Sequence, residues 1–168
     1  MLLKVNCYLT TRGTYDPLVL NSIKSQTLPF EFEILSNVFD DKEKNMCIIK
    51  SKEACFDKAE KSDCEFVIIH EDDCIELFTD NFENMLKFLI ANESYGAVAL
   101  RRTPHPITTH VCCGVMMIRK DFIKDKNMFS GNVGHICYDL INYFKSKGVG
   151  YGYIDKRQHL QQVESCKK

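Results

Sequence analysis

The chain has 168 residues, 45% of them hydrophobic and 27% charged, with 22 basic against 23 acidic side chains and a net charge of −1. That is the balance of one ordinary globular domain with its own core, and it gives no global basic field to recruit nucleic acid or an anionic membrane. Nothing approaches the roughly 18 uninterrupted apolar residues of a spanning helix.

"LLKVNCYLT" (2–10) is rich in β-forming residues and reads as a strand, followed by the polar loop "TTRGTYDP". A helix starts at Pro17, with Asp16 as N-cap and Leu18, Leu20 and Ile23 at helical spacing. "FEFEIL" (30–35) is a second strand and "SNVFDDKEKN" a loop. "MCIIKSKEACFDKAEKS" (46–62) is an amphipathic helix whose broad face carries Ile49, the stem of Lys52 or Ala54, Cys55, Phe56 and Ala59. "CEFVII" is a continuously apolar strand of the kind buried on both faces. A helix over 79–94, capped by Thr79, precedes the strand "GAVALRR" and the proline-broken segment "TPHPITTH". "VCCGVMMIRKDFI" reads as a strand leading into a helical turn. "HICYDLINYFKSKG" is a helix stopped by Gly148, "VGYGYI" a last strand, and 155–168 a polar tail.

The start "MLLKVNCYLTTRG" has too short an apolar stretch, and no small-residue cleavage site, for a signal peptide. A cytoplasmic protein with no integral membrane segment is the expectation. The nine cysteines are odd in number and lack a C-x-x-C pair. Several sit in apolar runs, so they read as reduced structural thiols.

Alternating strands and helices imply an open α/β sheet of the Rossmann type, mainly parallel, with helices flanking it. Ligands in such sheets bind beyond the carboxyl ends of the strands. Those ends carry Thr10-Thr11-Arg12, Ser36-Asn37 and Glu71-Asp72-Asp73. Three consecutive carboxylates after a buried strand repel one another unless a positive group sits among them. An acidic helix N-cap accounts for one acid well and for three poorly.

"VNCYLTTRG", "NSIKSQTLPFEFEIL" and "KEACFDKAEKSDCEFVIIHEDDCIEL" resemble, in order and spacing, the nucleotide-sugar half of family 2-like glycosyltransferases with the GT-A fold. The S-x-x-x-Q-T ending of that family's first helix is matched by Ser22, Gln26 and Thr27. "CCGVMMIRKDFI" is similar to its later strand with a Gly and then an Arg. The resemblance implies one GT-A domain over 1–168, its nucleotide-sugar half about 1–77 and a shortened acceptor half about 95–168.

It further implies a cofactor, Mn²⁺ or Mg²⁺, bridging the donor diphosphate to the acids, with Asp73 as direct ligand and Glu71 on the ribose or on a metal-bound water. Asp72 lies between them in the same nucleotide site. Thr10, Thr11 and Arg12 would line base and ribose, and Asn37 would read the base edge where the family has an aspartate. His159 would complete the metal shell.

The family's later acidic pair falls on Ile136 and Cys137, so the general base passes to His135 or Asp139. The expected activity is an inverting, hexosyltransferase-like transfer from a UDP- or GDP-sugar to an unknown hydroxyl acceptor. Two alternatives stand beside it. One is a GT-A nucleotide-binding protein without turnover. The other is a different metal-dependent nucleotide enzyme such as a nucleotidyltransferase, for which the single glycine of "TTRGTYDP" is a poor phosphate loop.

Overall fold

A computed structural model describes residues 3–11, 13, 15–36, 44–103, 114–123, 128–129 and 136–161; at 44–48, 101–103, 136–137 and 155–161 it describes the backbone alone. The elements in order are β1 (Val5–Thr11), α1 (Pro17–Lys24), β2 (Glu31–Ser36), α2 (Lys44–Lys61), β3 (Phe66–Glu71), β4 (Cys74–Glu76), α3 (Asn81–Ala91), β5 (Tyr95–Thr103), β6 (Val115–Arg119), α4 (Ile136–Ser146) and β7 (Gly150–Gln161).

The described strands form one seven-stranded sheet in the order β2-β1-β3-β6-β5-β7-β4. β1 pairs in parallel with β2 and β3, and β5 with β7, while β6 and β4 run against their neighbours. Five strands therefore share one direction and two reverse it, which makes the sheet mainly parallel as expected. Every residue of β1 is buried, because helices cover both of its faces.

Alternate residues of each strand feed two separate cores. Val67 and Ile69 of β3 pack with Cys55, Phe56 and Ala59 of α2 and with Leu140 and Phe144 of α4. Phe66 and Ile68 face the other way, onto Val19 and Ile23 of α1 and Phe82, Met85 and Leu89 of α3. The result is a three-layer α/β/α domain with two helices on each side.

Local signals explain the boundaries. Asp16 Oδ1 accepts from Leu18 N at 2.8 Å and Pro17 opens α1, as the sequence predicts. Gly148, at φ 72°, ends α4 in a conformation that favours glycine. Gly96 of β5 lies under Phe144, whose Cδ1 would stand 2.6 Å from an added Cβ, so its bareness lets α4 close onto the sheet.

Two expectations are corrected and one strand is added. The last strand does not end at 154 but runs to Gln161, because that polar stretch is held by pairing on both sides, to β5 and to β4. β4 was not predicted, being only three residues long. Thr79 does not cap α3; its carbonyl instead accepts from Thr27 N at 2.7 Å, and Asp80 holds the cap position without a side-chain bond. The segment "TPHPITTH" lies outside the described residues from Pro104 onward.

Candidate functional site

The parallel register of β1 sets its carboxyl end beside those of two neighbours, with Thr11 opposite Ser36 and Thr10 opposite Glu71. The chain then turns through Asp72 and Asp73 into β4. A backbone bond from Glu71 N to Gly114 O, at 2.8 Å, ties the other side of the acidic end to the start of β6. The polar residues thus gather where an open α/β sheet places its ligands.

Alternation along β3 decides where each side chain goes. His70 falls on the α1/α3 side and is fully buried. Its Nδ1 lies 2.8 Å from Glu71 O, and a carbonyl only accepts, so Nδ1 carries the proton there. Its Nε2 lies 3.1 Å from Glu76 Oε1, while Asn81 Nδ2 donates to Glu76 Oε2. This buried His70–Glu76–Asn81 network fastens the acidic turn to β4 and to the start of α3.

Glu71 falls on the opposite side, toward α2. Lys52 Nζ donates to Glu71 Oε1 at 2.7 Å, and the lysine side chain is only 1% exposed against 19% for the glutamate. A positive group therefore does sit beside the acidic turn, and it is the protein's own. The helical position of Lys52, three residues from Ile49 and from Cys55 on the apolar face, was the signal for it: a lysine there must be paired.

Asp73 is nearly buried, and Cys74 Sγ donates to its Oδ1 at 3.4 Å. One ligand atom each from Glu71, Asp73 and Cys74 lies within 4.8 Å of the others. Two carboxylates at this spacing fit a hard divalent cation that keeps other positions for phosphate and water. The thiol is a softer donor on the same rim.

The remaining sequence candidates separate. Thr10 is buried and its hydroxyl donates to His70 O at 3.3 Å; Thr11 is buried and its Oγ1 accepts from Gly13 N at 3.2 Å. Asp72 is half-buried in the turn beside Asp73. Asp139 is half-buried in the first turn of α4. The backbone of His159 pairs with Glu76 on one side and Arg102 on the other, so β7 carries it to the strand that follows the acidic turn. Arg12, Asn37 and His135 lie outside the described residues.

The S-x-x-x-Q-T residues hold the turn from behind rather than line it. Ser22 Oγ accepts from Glu76 N at 3.0 Å. Gln26 donates to Phe78 O at 2.9 Å and accepts from Phe82 N at 3.1 Å. The motif is thus a clasp between α1, β4 and α3.

A cavity of about 720 Å³ lies at the opposite end of the sheet, lined by Glu65, Phe66, Arg119, Lys120 and Asp121 among others. Its cations are engaged, Arg119 with the carbonyls of Tyr95 and Leu89 and Lys120 with that of Ser62. It is remote from the acids, and size alone does not make it the functional site.

No family model matches the sequence, and no curated protein matches it. Solved structures do. A mannosyltransferase, PcManGT of Pyrobaculum calidifontis, in complex with GDP-Man and Mn²⁺, is 13% identical over 95% of this chain and 57% of its own, with a TM-score of 0.68. A glycosyltransferase involved in glycosylation of the major capsid of PBCV-1 is 11% identical over 96% of this chain and 93% of its own, at 0.65. Glucosyl-3-phosphoglycerate synthase of Mycobacterium tuberculosis, in complex with Mn²⁺, UDP and phosphoglyceric acid, is 12% identical over 96% and 72%, at 0.64. The chain has the GT-A fold of nucleotide-diphospho-sugar transferases.

Proposed function

We propose that this chain is a metal-dependent glycosyltransferase, moving a sugar from a UDP- or GDP-sugar to a hydroxyl acceptor. The observation that carries the reading is the acidic turn Glu71–Asp73, set at the carboxyl ends of parallel strands in a fold whose similar structures include nucleotide and Mn²⁺ complexes. Residues 1–77 form the donor half in this reading and 95–168 a short acceptor half.

Asp73 and Glu71 are the carboxylates that would hold the divalent cation, Mn²⁺ or Mg²⁺, with His159 brought alongside by β7. When bound, the cation supplies positive charge against the departing diphosphate. The chain does the rest. Thr10, Thr11 and Arg12 line the base and ribose in this reading, and Asn37 reads the base edge. Asp72, in the same turn, belongs to the nucleotide site on this reading. The buried network under the turn fixes the carboxylates before substrate arrives, so little reorganisation is needed. His135 or Asp139 takes the proton of the acceptor hydroxyl in an inverting displacement.

Among the described residues no helix is long and apolar enough to cross a membrane. Among the described residues Cys7, Cys55, Cys64 and Cys74 are buried thiols outside any disulfide, which suits a reducing, cytoplasmic setting.

The test is turnover: release of UDP or GDP from a panel of nucleotide sugars with Mn²⁺. Native chain that releases one nucleotide, with the release lost in Asp73→Asn, supports transfer. His135→Ala and Asp139→Asn then separate the two bases. A chain that binds nucleotide and never turns it over favours the non-catalytic alternative, which the absence of an acidic pair at Ile136 and Cys137 recommends.

A further inference from the structure

Lys52 is among the largest fully buried side chains of the described residues, and it ends on a carboxylate of the acidic turn. Elsewhere the resolved lysine pairs, Lys4–Asp63, Lys58–Glu33 and Lys87–Glu83, lie on the surface. A buried ammonium is retained only where geometry makes it favourable, and removing its partner is strongly destabilising. This lysine is therefore an integral part of the acidic site.

We propose that Lys52 is a built-in counter-ion that commits Glu71 and lowers the affinity of the turn for a free divalent cation, so that the cation enters together with the nucleotide diphosphate. The inference rests on the donor-site reading above and deepens it. The geometry runs in three steps. The β3 pleat sends Glu71 toward α2, where Lys52 Nζ meets its Oε1 at 2.7 Å. α2 is anchored there by Ile49, Cys55 and Phe56, which are buried one helical turn to either side of the lysine. Glu71, Asp72 and Asp73 with Lys52 then leave a net charge of −2 rather than −3, and a metal arriving alone meets Lys52 as a like charge close by. A diphosphate brings its own oxygens and negative charge, which restores the attraction. Lys52 is a positioning residue in this account: it acts on the cation through Glu71.

The consequence is a coupling that can be read without turnover. Mn²⁺ and nucleotide should favour each other's binding, and by linkage the factor is the same in both directions. Substituting Lys52→Met keeps an unbranched side chain one atom shorter and removes the charge.

Mn²⁺ binding is followed by electron paramagnetic resonance of the free ion, with the full chain alone and with UDP or GDP. The native chain is expected to bind Mn²⁺ weakly alone and at least tenfold more tightly with one of the nucleotides. Lys52→Met is expected to bind Mn²⁺ alone at least tenfold more tightly than the native chain, with the nucleotide-dependent gain reduced to match. In the Lys52→Met background, Glu71→Gln is expected to remove the gain. A cooperatively melting Lys52→Met chain with unchanged Mn²⁺ affinity overturns the inference. If that variant does not fold, the native chain decides: Mn²⁺ bound as tightly alone as with UDP or GDP makes the inference wrong. Native chain that takes up no Mn²⁺ with either nucleotide overturns the donor-site reading, and the inference with it.

Discussion

At the scale of single residues, chemistry is set by which side of a strand a side chain leaves from. Consecutive residues of β3 part company, His70 into one core and Glu71 toward the other, and each finds a charged or polar partner there. Replacing Lys52 by alanine leaves both a cavity and a less compensated carboxylate. Because Glu71 keeps 19% exposure, the loss expected in urea unfolding is about 2 kcal/mol, below the full range for a broken buried pair.

The buried thiols give a prediction in pH. Burial pushes the Cys55 thiol up from 9.0 to about 12, and burial likewise pushes Cys7 well above its ordinary value. Between about pH 9 and 12 the unfolded chain has released protons that the folded chain retains. Stability is then full below about pH 9 and falls as pH rises, by about 1.4 kcal/mol per unit for each such thiol. Urea titrations of the native chain and of Cys55→Val at pH 8 and 10 measure it. The variant should lose less stability between the two, and an equal loss would contradict the assignment. Neither thiol should react with an alkylating reagent at pH 8 until the chain unfolds.

At the scale of elements, the acidic turn is held by α1 as much as by the sheet. Gln26 joins Phe78 O, Phe82 N and Ser22 O, and Ser22 takes the amide of Glu76. Gln26→Ala strands buried backbone groups and should cost about 2 kcal/mol in unfolding free energy. It should also weaken nucleotide and metal binding without touching either, because β4 and α3 are released together. Gly96→Ala should destabilise by about 2 kcal/mol through overpacking against Phe144, with no change in ligand affinity once folded.

The sequence carried these elements unequally. β1, α1, α2, β3 and β5 were legible because periodicity and caps agree. β4 and the far half of β7 were not, since their pairing is with each other and with β5, and nothing local in "DKRQHLQ" says so. The same long-range pairing places His159 next to the strand that follows the acids, a nearness its position in a polar tail concealed. The acids themselves were legible as a cluster that needs a positive partner. That Lys52 supplies part of the charge could be read only from its place on the apolar stripe of α2.

At the scale of the whole molecule, a three-layer sheet gathers strand ends from β1, β2 and β3 on one edge, and the chain places its only run of three consecutive acids there. The family resemblance and the fold agree. On the proposed reading the acceptor side is built by the segments around β5, α4 and β7, where the sequence departs from the family's acidic pair.

The most direct test of the account is the melting temperature with UDP and GDP, each with and without Mn²⁺, for the native chain and for Asp73→Asn. A ligand at about 100 times its Kd adds roughly 2.7 kcal/mol, which raises the melting point of a domain this size by several degrees. The account predicts such a rise for one nucleotide, dependent on Mn²⁺ and absent in Asp73→Asn. A melting point indifferent to every combination would contradict a metal-dependent donor site at the acidic turn.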